Sequence, residues 1–148
     1  MAERELMSWD FCLANHVTKI NKDEDRARSL LKMAELRYEF WSNINVDSKY
    51  VSIIVDGYYE IIKELLTALL YLEGYKSDNH ECLIAYLKEK YTDLAYEITV
   101  IHQLKRIRND IDYKGFFVKQ DYLDRNKVEF EHIIKTLQKL IKEKLISG

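Results

Sequence analysis

Val51-Ser52-Ile53-Ile54-Val55-Asp56-Gly57-Tyr58-Tyr59-Glu60-Ile61-Ile62-Lys63-Glu64-Leu65-Leu66-Thr67-Ala68-Leu69-Leu70-Tyr71-Leu72 is the most hydrophobic run of the chain. Read at ~100° per residue, Val51, Ile54, Val55, Tyr58, Ile61, Ile62, Leu65, Leu69 and Leu72 form a wide stripe, broadened by Ile53, Leu66 and Leu70. A helix over 49–72 spans ~36 Å. Apolar over so much of its girth, it is either central to a bundle or shared with a second copy. Gly57 inside it costs about 1 kcal/mol relative to alanine. Either a close helix–helix approach or an ordinary surface glycine accounts for it.

The rest of the chain agrees with a helical bundle. It has no proline and four glycines, one of them terminal, in 148 residues, whereas a strand-rich fold needs turn residues every ~8–12 positions. The fold class expected is all-α, an up-and-down bundle of four to five main helices plus a short N-terminal helix. One domain over 1–148 suits the length, with 1–20 as a helical extension in which Leu6, Trp9, Leu13, Val17 and Ile20 recur at helical spacing. The polar break over 21–25 is rich in N-cap residues. The next helix carries Ala27, Leu30, Leu31, Ala34, Tyr38 and Trp41 on one face, and a turn over 43–48 follows, with Asp47 or Ser48 as cap. Gly74 ends the central helix and Tyr75-Lys76-Ser77 links onward. Asp78 and Glu81 have capping-box spacing ahead of Leu83, Ile84, Leu87 and Tyr91. A further helix begins near Asp93 and stops at Gly115. The stretch 116–122 is a loop whose aromatics should pack down, since exposing three together is costly. The last helix, 123–146, buries Phe130, Ile133, Ile134, Leu137, Leu140, Ile141 and Leu145.

Composition narrows the function classes. With 47% hydrophobic and 32% charged residues the chain is globular, and a net charge of −2 gives no global pull toward nucleic acid or anionic membrane. Cys12 and Cys82 make neither a CxxC pair nor a disulfide framework and are expected to be reduced, buried, small apolar residues. Residues 1–5 show no leader pattern, and no apolar run reaches ~18 residues. A cytoplasmic protein with no membrane partner is expected. The lysine-rich segment 135–144 has an apolar face the bundle needs, so it reads as a core helix and not a membrane-surface one.

The chemistry-bearing stretch is Lys105-Arg106-Ile107-Arg108-Asn109-Asp110-Ile111-Asp112-Tyr113-Lys114-Gly115. Ile101, Leu104, Arg108 and Ile111 share a stripe, so an arginine stands where a core residue belongs. Burying a guanidinium alone costs several kcal/mol. Arg108 should therefore meet a carboxylate, a second subunit or a phosphate; Asp112, one turn on, is a candidate. Lys105, Arg106, Arg108, Lys114 and Lys119, interleaved with Tyr113, Phe116 and Phe117, suit single-stranded RNA; a solvated face with intrahelical ion pairs is the plainer alternative. Di-iron bundles need two Glu-x-x-His pairs and two more glutamates. Here Glu129 and His132 form one pair, whose phase opposite Phe130 turns it to solvent, so no metal and no cofactor is expected. His80, in the first turn of its helix, is either a packed, hydrogen-bonded residue or a proton carrier. His16 and His102 have no companion acid at a useful spacing.

Two stretches resemble the HEPN family (higher eukaryotes and prokaryotes nucleotide-binding domain). One is 59–70, followed by Gly74 to His80 and Leu83 to Leu87; the other is Arg108-Asn109 through Tyr113, which aligns with the family's Arg-polar-x3-His motif. The likeness covers about 23 to the carboxyl end. It implies an α-bundle homodimer whose two arginine motifs face each other across a cleft, and in many members a metal-independent endoribonuclease, often a toxin paired with a small nucleotidyltransferase. By this resemblance Arg108 would hold phosphate, Asn109 would be its polar neighbour, and Tyr113 stands at the histidine position. A phenol, with pKa ~10, is a poor general base at neutral pH, though it can donate a hydrogen bond to phosphate. The resemblance thus implies an RNA- or nucleotide-binding module first, an endoribonuclease assisted by Tyr113 and Asp112 second. A dimeric interaction protein in which Arg108 only pairs with a carboxylate is the third reading.

Overall fold

The computed structural model describes residues 6–43 and 47–147. Residues 1–5 and the middle of the turn expected over 43–48 lie outside these. The described residues form an all-α bundle: α1 (Trp9–Asn15), α2 (Glu24–Asn43), α3 (Val51–Glu73), α4 (His80–Lys90), α5 (Ala95–Lys114) and α6 (Gln120–Ser147), with 3-10 turns at Ser48–Tyr50 and Thr92–Leu94.

Helix α3 is the centre. Its stripe packs against α2, α6, α5 and α4, and Tyr58, Ile61, Ile62, Leu65, Leu66, Leu69 and Leu70 are fully enclosed. A helix apolar over most of its girth is stable where neighbours cover it, and here four helices do so except at Ile53, which is 55% exposed. Gly57 answers to the close-approach reading: a Cβ there would stand 2.6 Å from Nε1 of Trp41 on α2. Gly74 and Gly115 both adopt left-handed conformations, at φ 84° and 64°, and terminate α3 and α5 as expected. Asp23 caps α2 by accepting from the Arg26 amide at 3.0 Å, and Asp47 caps the 3-10 turn before α3.

The amino-terminal arm departs from the expected continuous helix. After α1 the chain extends, and β1 (Val17–Lys19) pairs antiparallel with β2 (Tyr75–Ser77), Thr18 opposite Lys76. The segment 75–77, read as a linker, is thus a strand; β-branched Val17 and Thr18 favour extended backbone. The α4 cap is Asn79, whose side chain accepts from the Glu81 amide, and not Asp78. Glu81, two residues after that cap, is buried and accepts from the Met7 amide at 2.9 Å, and so ties the arm to α4.

The cysteine expectation is overturned. Cys12 and Cys82 are joined in a disulfide with Cα atoms 5.7 Å apart, both fully enclosed. Spacing in sequence could not show this, because the β1–β2 pairing brings α1 onto α4 across 70 positions. Closing a loop of that length removes unfolded-chain entropy worth about 4 kcal/mol. The Cys12→Ala/Cys82→Ala variant should therefore lose about 2–4 kcal/mol of unfolding free energy in urea titration, and wild type in strong reductant should show the same loss. Equal midpoints for oxidised, reduced and double-alanine protein would contradict it.

Candidate functional site

Arg108 enters from α5 and lies over α3. Its side chain is 16% exposed, so the inward turn expected from the helical phase is present. Nε approaches Asp112 Oδ2 at 2.9 Å and Asp56 Oδ1 at 3.3 Å, and Nη2 reaches Glu60 Oε1 at 3.2 Å. The guanidinium also lies 5.5 Å from the ring centroid of Tyr59, a cation–π arrangement. Asp56, Tyr59 and Glu60 come from successive turns of α3, while Asp112 lies one turn beyond Arg108 on its own helix. Lys63 adds a second cation, 2.7 Å from Glu60.

Three carboxylates, Asp56, Glu60 and Asp112, meet Arg108, and Lys63 pairs with Glu60. Arg108 has its pKa raised; burial works downward, but Asp112, Glu60 and Asp56 outweigh it. Burial pushes Glu60 upward, yet its hydrogen bond and ion pair with Lys63, together with Arg108, hold its pKa below the usual value. Asp56 goes the other way. Burial and then the charge of Asp112 raise its pKa more than Arg108 lowers it.

The motif residues do not converge as one pocket. Asn109 is half-buried beside Arg108, while Tyr113 is 78% exposed. Lys105 is half-buried and Arg106 exposed; Lys114 pairs with Asp110 at 3.3 Å. The expectation that the aromatics of the α5–α6 link pack down fails for two of them. Phe116 is half exposed and Phe117 78% exposed. Only Tyr122 turns in, against Phe130, where burial pushes its pKa up to about 12. The reason is local: α6 opens at Gln120, earlier than expected, and the Val118 amide donates to Ser52 Oγ at 2.8 Å. That bond leaves Val118 partly buried and its neighbours outside.

His80 is the residue that sequence phase undervalued. Its ring centroid lies 6.3 Å from that of Tyr59, the same ring that Arg108 overlies. Burial first, then the charges of Lys63 and Arg108, lower its pKa below 6.5, with Glu60 opposing. The signal available in the sequence was its position opening α4, next in the bundle to the Tyr59-Glu60 turn of α3; side-chain spacing within one helix could not reveal that.

Two outcomes follow from this geometry. Arg108→Ala strands three carboxylates and should destabilise the fold by about 2–3 kcal/mol, with Arg108→Lys restoring only part, because a point charge cannot serve two directions at once. For His80, the folded state favours the neutral ring, so the unfolded chain takes up the proton first as pH falls. Its stabilising contribution is complete above pH 6.5 and is lost as pH drops toward its lowered folded value. Asp56, raised, acts in the opposite sense, so the decisive readout is the comparison: melting temperature should fall less between pH 7.5 and 5.5 in His80→Gln than in wild type, and parallel profiles would refute it. No family model matches the chain, and no curated protein or solved structure matches it either; its function is therefore read from the geometry around Arg108.

Proposed function

We propose that the chain is a HEPN-type module that works as a homodimer and binds RNA or nucleotide at the carboxyl-terminal end of α5, with a small nucleotidyltransferase as toxin–antitoxin partner. The single observation that carries this reading is the exposure of Tyr113, Phe116 and Phe117 where α5 ends, on the helix that sets a guanidinium into the α3–α5 seam. Flat exposed rings in the same stretch of chain as Lys105, Arg106, Lys114 and Lys119 suit unpaired bases, each stacking contact contributing about 1–3 kcal/mol. A cytoplasmic setting belongs to this reading. There the Cys12–Cys82 bond would have to withstand cellular reductants through its complete enclosure.

A second reading, a dimeric interaction protein, is favoured by one feature: Arg108 already has three carboxylate partners, so a phosphate must displace one of them. The endoribonuclease reading relies on Arg108 and Asn109, with Tyr113 and Asp112 assisting. No helix among the described residues is long and apolar enough to cross a membrane.

Fluorescence anisotropy with a labelled single-stranded RNA separates these. The module should bind with an affinity that falls as salt rises. Phe117→Ala, at a side chain 78% exposed, should weaken binding roughly 5- to 100-fold, the equivalent of losing one stacked base. Cleavage of that RNA in EDTA, abolished by Arg108→Ala, would select the enzyme instead. Absence of RNA binding by a well-folded dimer would select the interaction protein.

A further inference from the structure

The first turn of α5 and the middle of α6 carry a second constellation, distinct from the Arg108 cluster. One carboxylate oxygen each from Glu97 and Glu129 and an imidazole nitrogen of His132 all lie within 4.8 Å of one another. Helical phase alone turns Glu129 and His132 toward solvent, and His132 is indeed 57% exposed. The packing of α5 adds what the sequence pattern lacked, a third donor from another helix.

Two observations point to a cation between these groups. Oε1 of Glu129 is enclosed and has no hydrogen-bond partner among the described residues, and an enclosed carboxylate oxygen without a partner is an unstable arrangement. Glu97, its side chain 17% exposed, forms an ion pair with His132 Nε2 at 3.6 Å. That separation exceeds a hydrogen bond, and the contact is an ion pair only when the imidazole is protonated. A divalent ion would answer both, meeting the unpaired oxygen and replacing carboxylate–carboxylate repulsion with attraction.

We propose that Glu97, Glu129 and His132 form a zinc-binding site that clamps α5 to α6. Two carboxylate oxygens and one imidazole nitrogen are a donor set zinc accepts, at bond lengths of about 2.0–2.2 Å with a fourth, tetrahedral position left for water. The exposed side of His132 supplies that opening. Glu129 and His132, three apart on α6, act as the paired arm, and Glu97 closes from α5. Small side-chain rotations bring atoms now within 4.8 Å to the separation a tetrahedron requires. Among divalent ions the imidazole favours zinc over magnesium or calcium, which prefer all-oxygen shells.

Isothermal titration of tag-free, chelator-stripped protein with zinc chloride tests the site. The expected result is one ion per chain at micromolar affinity or tighter, with a rise in melting temperature. Glu129→Gln and His132→Ala, neither of which removes a core side chain, should each weaken binding at least tenfold. Magnesium chloride should give no shift. Failure to bind zinc at 100-fold molar excess overturns the proposal. So does binding that survives both substitutions undiminished, since the ion would then sit elsewhere.

Discussion

A guanidinium set into the seam between two helices can be stable only if its desolvation is offset by directed charge, and α3 supplies that charge along one edge. Asp56, Tyr59 and Glu60 fall on the turns that Arg108 crosses, while Asp112 comes from its own helix. This arrangement fixes the rotation of α5 about its axis. With Arg108 held to α3, Ile98, Ile101 and Leu104 must face the core, and Tyr113 must face out. Replacing such a cluster with apolar residues is often neutral for stability, so its value lies in specifying one orientation of α5 against α3.

The same seam limits what the site can do. Arg108 already faces three carboxylates, and burial, then the charge of Asp112, raises the pKa of Asp56. A phosphate arriving at Arg108 gains a cation only by releasing a carboxylate to water or protonating it. Asp56, whose pKa burial already raises, is placed to take up that proton. Under the proposed reading, phosphate binding at this position would be coupled to proton uptake, a linkage absent from a simple basic patch.

Much of this was legible in the chain. Periodicity placed the central helix, the two left-handed glycine stops and the inward face of Arg108, because each depends on residues within a few turns of one another. Asp112 was visible for the same reason. Asp56, Glu60 and His80 were not, since they reach Arg108 through the packing of three helices. The disulfide was hidden by the same cause: a three-residue strand pairing, too short to leave a pattern, carries Cys12 to Cys82. The outward Phe116 and Phe117 reversed an argument from burial. The general preference for covered aromatics was outranked by one hydrogen bond, from the Val118 amide to Ser52 Oγ, which fixes the link in register.

Exposed aromatics beside an internally neutralised arginine change the kind of partner the surface suits. A strand of duplex offers phosphates at its edge and hides its bases, so it needs cations free to meet them, whereas Arg108 already faces three carboxylates. Unpaired bases or a nucleotide ring offer flat faces, and stacking draws on area and polarisability more than on charge. Under the proposed reading, Phe117 and Tyr113 would carry most of the affinity, and Arg108 would select, admitting only ligands whose anion can displace a carboxylate.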